Sequence, residues 1–287
     1  MARHQVSLMI NSTFYDMFAE YLLFIKEIYP ELQKICQKHD IDLIYRDVAF
    51  SVPKESFNRG IILQDLRYID EDRTFFICFR AQKLGWRPCP VDVGRMVLNE
   101  YPETVDYICN VSITELAIMH ALRPFAKCVD GEITQLPPVK HSLFYFRKPD
   151  YLEGLSDEQK KEYVNLSNGK DKEVLDLEIA KAKDLIFDTK EEFEDNDECD
   201  CYIDIREYDS KWSDDLNQKD MMMEYVREYE KINGVSLDYF VGIHKEYVCE
   251  KSHGGLCDLT YENTDLKEVI IEDILNALKI EFPENFA

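Results

Sequence analysis

The stretch that decides the fold is Gln5-Val-Ser-Leu-Met-Ile10, which is followed by Asn11-Ser-Thr-Phe-Tyr-Asp-Met17. The apolar residues predict a buried strand, and the polar residues after them predict a turn into a helix. Ser12 and Thr13 are good capping residues for that helix. A strand that leads directly into a helix is the usual start of a doubly wound α/β sheet, whose ligands collect at the carboxyl ends of the strands. We therefore expect Ser12 and Thr13 to line the default ligand site.

Apolar residues recur at helical spacing from Phe14 to Ile35, which predicts a long amphipathic helix, bent at Pro30. Helical patterns then alternate with four further apolar stretches that predict strands. These strands are predicted at Asp42–Val48, Thr74–Phe79, Ser142–Phe146 and Cys201–Arg206. The pattern predicts a single α/β domain over residues 1–287. Its five parallel strands would follow a flavodoxin-like order with helices on both faces, plus an insertion at about 208–262.

Three local patterns complete the prediction for the second half of the chain. Ser252 to Leu256 contains two glycines and predicts a loop, and the acidic run Asp188 to Asp200 predicts a solvated loop. A terminal helix is predicted from Asp265 to Ile280, with Thr264 as its cap.

Composition and charge exclude several classes of function. The net charge of −23 would repel nucleic acid and anionic membranes, so we expect neither as a partner. No stretch approaches the roughly 20 apolar residues of a membrane span, and the start of the chain has no signal peptide, which predicts a cytoplasmic protein. The nine cysteines have no regular spacing, which predicts free thiols and no metal site.

Several stretches together resemble the front region of NACHT and WD-repeat STAND proteins, of the telomerase-associated-protein-like and nephrocystin-like groups. The resemblance rests on motifs that occur in the family's order along the chain. They are Ser12–Met17 with Ala19-Glu20, Tyr29–Leu32, Phe75–Ile77 with Leu84–Pro88, Ser112–Leu116 and Leu143–Leu152. The resemblance implies a TIR-like domain of flavodoxin type, placed before a nucleotide-driven oligomerisation engine.

Some TIR domains cleave NAD with a glutamate on the helix before the fourth strand, and the resemblance places Glu115 on that helix. Two departures from the family pattern indicate a depleted site. Relatives carry a second glutamate two residues further on, where this chain has Ala117. Many relatives also carry an Asp-x-Arg-Trp-Gly motif after the second strand, where this chain has Asp47-Val-Ala-Phe-Ser51.

Two functions follow from these residues. The first is a non-catalytic protein–protein interaction or self-association module that needs no cofactor. The alternative is a glycohydrolase that cleaves NAD as its substrate, or a domain that binds a nucleotide without cleaving it. Its cleft would lie at the switch point between the first and third strands, with Glu115 as the catalytic carboxylate.

Each candidate residue also has a structural interpretation. The spacing of Ser112 and Glu115 predicts a helix-capping box. For Arg147 the structural interpretation is an ion pair with the nearby Asp150, and the functional one is binding of a ligand anion. Trp86 lies in a loop rich in glycine and proline, where its ring is predicted to stack on a ligand or to pack on the core. Together with Ser12 and Thr13, these side chains make up the predicted site.

Overall fold

We describe the protein from a computed structural model that covers residues 3–13, 16–48, 57–89, 93–165, 170–236 and 253–287. The strands are β1 His4–Ser12, β2 Ile41–Asp47, β3 Thr74–Arg80, β4 Lys127–Val129, β5 Glu132–Thr134, β6 His141–Arg147, β7 Tyr202–Asn217, β8 His253–Tyr261 and β9 Thr264–Asp265. The α-helices are α1 Phe18–Leu23, α2 Tyr29–Cys36, α3 Phe57–Ile69, α4 Arg95–Glu100, α5 Ile113–Leu122, α6 Asp157–Tyr163, α7 Lys170–Glu194, α8 Gln218–Asn233 and α9 Leu266–Glu281. A π-helical turn, Phe24–Ile28, joins α1 to α2.

The main sheet has seven strands in the order β2-β1-β3-β6-β7-β8-β9, and β4 and β5 form a separate two-stranded sheet. The first five strands of that order are mutually parallel. This arrangement confirms the predicted α/β fold with five parallel strands in flavodoxin-like order. The central position of β1 is also as predicted, because β2 and β3 pair with its two sides.

Both faces of the sheet are covered, which explains why the central strands are apolar without alternation. Phe75, Ile77 and Phe79 of β3 enter a core formed with α1, α2, α8 and α9. Phe76 and Cys78 enter the opposite core, which α5 and α7 help to form. Each large apolar side chain buried in this way stabilises the fold by about 1.5–3 kcal/mol.

Strand β7 takes part in two different pairings along its length. Up to Tyr208 it runs parallel to β6, and from Asp209 it pairs with β8 in the antiparallel sense. The predicted insertion at about 208–262 therefore contains the second half of β7, α8 and β8. The prediction that residues 1–287 form one domain stays a prediction.

The predicted loop at Ser252–Leu256 is wrong from His253 onward, because those residues begin β8. Gly254 has a positive φ of 92°, and a Cβ at this position would lie 2.1 Å from Trp212 Cζ2. Glycine is therefore required here by backbone conformation and by the indole of the paired strand, whereas the sequence pattern indicated only a turn.

The first helix begins later than predicted. It starts at Phe18, and its N-cap residue, Met17, makes no side-chain capping bond. Ser12 is the last residue of β1, and its hydroxyl donates to the carbonyl of Thr13. The prediction that Ser12 and Thr13 cap the helix is wrong, because both precede the turn that opens it. Phe14 lies outside the described residues.

The bend predicted at Pro30 stays a prediction, and the helix is irregular just before this residue. Helix α2 directly follows the π-helical turn Phe24–Ile28, and Pro30 is its second residue. Proline has no N–H to donate to the carbonyl of Lys26, so the irregular turn occurs where the regular hydrogen-bond ladder is already interrupted.

Two other boundaries differ from the predictions. The acidic run does not form a loop throughout, since α7 continues to Glu194 with a Lys190–Glu194 ion pair one turn apart. The terminal helix is capped by Asp265, whose carboxylate accepts from the amide of Lys267, and not by Thr264.

Candidate functional site

The predicted site residues lie at the carboxyl edge of the parallel sheet, although they do not all meet there. Strands β1, β3 and β6 end at Ser12, Arg80 and Arg147. The Thr114 hydroxyl at the start of α5 donates to the Ser12 carbonyl over 3.4 Å, which fixes the helix N-terminus at the end of β1. Glu115 is thereby held at this edge, as the strand order requires.

Glu115 is held by a complete capping box. Its Oε2 accepts from the Ser112 amide at 2.9 Å, and its own amide donates to the Ser112 hydroxyl at 3.2 Å. Its second carboxylate oxygen, Oε1, lies 3.5 Å from the guanidinium of Arg80. Glu115 is only 5% exposed, so the carboxylate faces its own helix and a buried arginine. The capping interpretation therefore describes its geometry.

Arg147 is buried in a cluster with acidic and aromatic partners. Its guanidinium donates to Glu20 Oε1 at 2.8 Å and to the Asp16 carbonyl at 2.9 Å. It also lies 4.8 Å from the centre of the Tyr151 ring. The ion-pair partner is thus Glu20 on α1, whereas the sequence indicated Asp150. We call Asp16, Glu20, Arg147, Tyr151 and Tyr208 the Arg147 cluster.

Two carboxylates in the Arg147 cluster share a single guanidinium. Glu20 has the close contact and also accepts from the Tyr208 hydroxyl at 2.7 Å. The Asp16 carboxylate lies 3.9 Å from Arg147. Burial raises the pKa of Asp16 above its ordinary value, and the charges of Arg147 and Lys83 reverse only part of that effect. Burial by itself would lower the pKa of Arg147, but the Glu20 carboxylate, with smaller contributions from Tyr151, Tyr208 and Asp16, outweighs burial and raises this pKa well above its usual value.

The remaining predicted residues lie around this edge in different environments. Ser12 is half-buried and Thr13 is buried. Trp86 is 44% exposed, and its backbone carbonyl accepts from the Ile113 amide at 3.0 Å. Its ring therefore lies at the surface, while its backbone ties the loop to the start of α5.

A cleft of about 400 Å³ opens at the ends of β3, β6 and β7, against α7. Arg147 is the one predicted site residue among the described residues that line it. Arg80 lines it as well and was missed by the sequence analysis. The sequence feature that could have identified Arg80 is its position as a charged residue directly after the apolar stretch Thr74–Phe79.

A second cleft, of about 460 Å³, lies at the opposite, amino edge of the sheet. Beside it, Asp70 accepts hydrogen bonds from His120 at 2.7 Å, Lys127 at 2.7 Å and Tyr101 at 2.5 Å. Burial opposes ionisation of Asp70, but these three donors outweigh it and lower its pKa. The amide of Phe125 donates to the other ring nitrogen of His120, at 3.0 Å, so this network has matched donors and acceptors.

Within the ranges that the structure describes, no group of three or more histidine, cysteine, aspartate or glutamate side chains has a metal-binding arrangement. No helix among those residues is long and apolar enough to cross a bilayer.

The chain is a distant homologue of two mammalian proteins named Telomerase protein component 1. It is 28% identical to the mouse protein over 165 residues, which are 56% of this chain and 6% of the relative. The rat protein is 27% identical over 165 residues, which are again 56% of this chain and 6% of the relative. A TPR repeat-containing protein of Dictyostelium discoideum is 24% identical over 177 residues, 57% of this chain and 10% of the relative.

These relatives are much longer than the aligned stretch, since the chain spans a tenth of their length or less. No protein-family model matches the chain, and no solved structure matches it.

Proposed function

We propose that the chain is a TIR-like protein–protein interaction and self-association module at the front of a cytoplasmic NACHT-type signalling or scaffold protein. The relatives support a modular role, because the aligned stretch is a small part of each of them. The net charge of −23 supports a protein partner over nucleic acid.

An exposed apolar surface carries this proposal. Trp86 is 44% exposed, Val174 50% and Leu177 54%. Leu177 and Glu178 share one face of α7 with Val174, because they follow it by three and four residues. An ion pair between Arg87 and Glu178 holds the loop that contains Trp86 against this face. We infer that these three side chains, Trp86, Val174 and Leu177, form one surface, which we call the Trp86 patch, and exposed apolar surfaces of this kind mark interaction sites.

The environment of Glu115 supports a non-catalytic module. A glutamate that acts on NAD has to reach the substrate from a solvent-accessible pocket. Here one carboxylate oxygen accepts the capping bond and the other faces Arg80, and the cleft at this edge is lined by other residues.

The interaction role is tested by light scattering during size-exclusion chromatography over a range of protein concentrations. We expect mass to increase with concentration and Leu177→Glu to reduce that increase, because the substitution puts a charge in the Trp86 patch. Ile133→Glu is the matched control, since Ile133 is 70% exposed in the separate β4–β5 hairpin. An equal effect of the two substitutions, or a monomer at every concentration, would contradict self-association through this patch.

The catalytic alternative is tested by nicotinamide release from NAD at high protein concentration, beside Glu115→Gln. We expect no release from either protein. Glutamine still serves in a capping box, so this variant removes the carboxylate charge while it retains the cap. Release that the variant abolishes would replace the proposal with a glycohydrolase.

A further inference from the structure

The cleft against α7 lies one strand away from the β1–β3 switch point, where Ser12 and Thr13 are found. Its floor is formed by the ends of β3 and β6, and α7 forms one wall. Arg80 and Phe146 are register partners on these strands, so both side chains point to the α5 and α7 face of the sheet. The cleft therefore lies mainly on the face opposite to the Arg147 cluster and shares Arg147 with it.

Basic side chains outnumber acidic ones in this cleft, in a chain whose net charge is −23. The basic residues are Arg80, Arg147, Lys148, Lys172 and Lys183, and the acidic ones are Asp176 and Glu207. Three of the basic residues have close carboxylate partners: Arg147 with Glu20, Lys148 with Asp209 and Lys183 with Glu207. Lys172 has no ion pair within the described ranges, and Arg80 has only the Glu115 oxygen at 3.5 Å.

Arg80 is the unusual member of this set. It is 2% exposed, and neither of its terminal nitrogens, Nη1 and Nη2, has a hydrogen-bond partner among the described residues. A buried charged donor without an acceptor destabilises a fold, so such groups are normally paired. Because Arg80 lines the cleft, an anion bound there would supply the missing acceptors.

We propose that this cleft binds a phosphorylated small molecule, with its phosphate oxygens on Arg80 and Lys172. The planar guanidinium offers two parallel N–H donors that match two phosphate oxygens. Phe146, Leu152 and Ile179 form an apolar wall for the uncharged part of the ligand. A volume of about 400 Å³ fits a molecule the size of a mononucleotide.

Calorimetric titration of the full chain with pyrophosphate and with ADP, at constant ionic strength, tests this site. We expect saturable binding of one molecule per chain, with ADP tighter because it also contacts the apolar wall. Equal affinity for the two compounds would overturn the role of that wall. No saturation with either compound at millimolar concentration would overturn the site itself.

Three substitutions and one matched control identify the location. Lys172→Gln is expected to weaken ADP binding severalfold, whereas Lys181→Gln, an exposed lysine of the same helix outside the cleft, should leave it unchanged. Glu115→Gln should strengthen binding, since the carboxylate competes with phosphate for Arg80. Arg80→Gln should weaken binding at least about tenfold, the loss of one charge-assisted hydrogen bond.

Equal losses for Lys172→Gln and Lys181→Gln would indicate nonspecific attraction and contradict the proposal. If Arg80→Gln does not fold, the Lys172 and Glu115 variants still decide the outcome. Self-association and nicotinamide release are measured separately, so failure of the proposed function is distinguishable from failure of this site.

Discussion

Arg80 and Arg147 end neighbouring strands and are equally buried, yet their environments differ. Because Arg80 pairs in register with Phe146, Arg147 lies one residue further along and points to the opposite face. On that face Arg147 meets Glu20 at 2.8 Å, the Asp16 carbonyl and two aromatic rings. On the other face the Arg80 guanidinium lies 3.5 Å from the Glu115 carboxylate and has no closer carboxylate among the described residues. A displacement of one residue therefore separates an arginine whose two terminal nitrogens both donate hydrogen bonds from an arginine whose terminal nitrogens have no acceptor among the described residues.

The largest effect is expected when Arg147, the arginine with the closer ion pair, is removed. Arg147→Met leaves Glu20 buried without its counter-ion, which should lower the free energy of unfolding by about 3–5 kcal/mol. Urea denaturation followed by circular dichroism measures this change. The double variant Glu20→Gln/Arg147→Met should lose less than the two single changes combined. A loss below about 1 kcal/mol for Arg147→Met would contradict the structural role, given the usual cost of an unpaired buried charge.

A smaller effect is expected at the second arginine. Arg80→Met should cost about 1–2 kcal/mol, because its ion pair is longer and its removal also eliminates two unsatisfied donors. Glu115 retains its capping bonds to Ser112 in this variant. The same urea experiment applies, and a loss equal to that of Arg147→Met would remove the distinction between the two sites.

The capping box next to Arg80 has an exposed counterpart, which provides a matched comparison. Ser112 and Ser156 each form a capping box, the first buried and the second exposed. Ser112→Ala should destabilise the protein by about 1–2 kcal/mol and Ser156→Ala by about 0.5 kcal/mol, since a buried amide has no water to replace the lost acceptor. Thermal unfolding of both variants measures the difference. Equal shifts would indicate that burial adds nothing at Ser112.

The smallest effect concerns the second carboxylate of the Arg147 cluster. Because the pKa of Asp16 is raised in the folded state, the folded chain keeps a proton that the unfolded chain has released. Stability contributed by this group therefore falls as pH rises above the ordinary aspartate value of about 3.9. Asp16→Asn removes this dependence. Denaturation from pH 4 to 7 should favour the variant increasingly over the original protein, and a constant difference would contradict the raised pKa.

The sequence pattern predicted the five parallel strands because each is an apolar run bounded by turn residues, as at Thr74–Phe79. It also predicted the capping box of Ser112 and Glu115, since that motif depends on local spacing. Contacts between distant residues were not predictable in this way. Glu20 and Arg147 are separated by 127 positions in the chain, and only the packing of α1 on β6 brings them together.

Two errors have related causes. The helix after β1 was predicted to start at its first polar residues, but the turn extends to Met17. Gly254 indicated a loop, but the side chain of Trp212 on the paired strand is what requires glycine there. In both cases the local pattern alone did not determine the boundary of the element, and at Gly254 the deciding contact comes from a distant part of the chain.

The π-helical turn Phe24–Ile28 has a consequence for comparing this chain with its relatives. A turn of this type closes its hydrogen bonds over one more residue than an α-helical turn, so it accommodates an inserted residue inside a helix. Removal of one residue here would restore an α-helical turn and preserve the orientation of α2, including the contact of Tyr29 with Leu43. In sequence alignments, a single-residue gap therefore belongs at 24–28, within the helix, and not in the neighbouring loops.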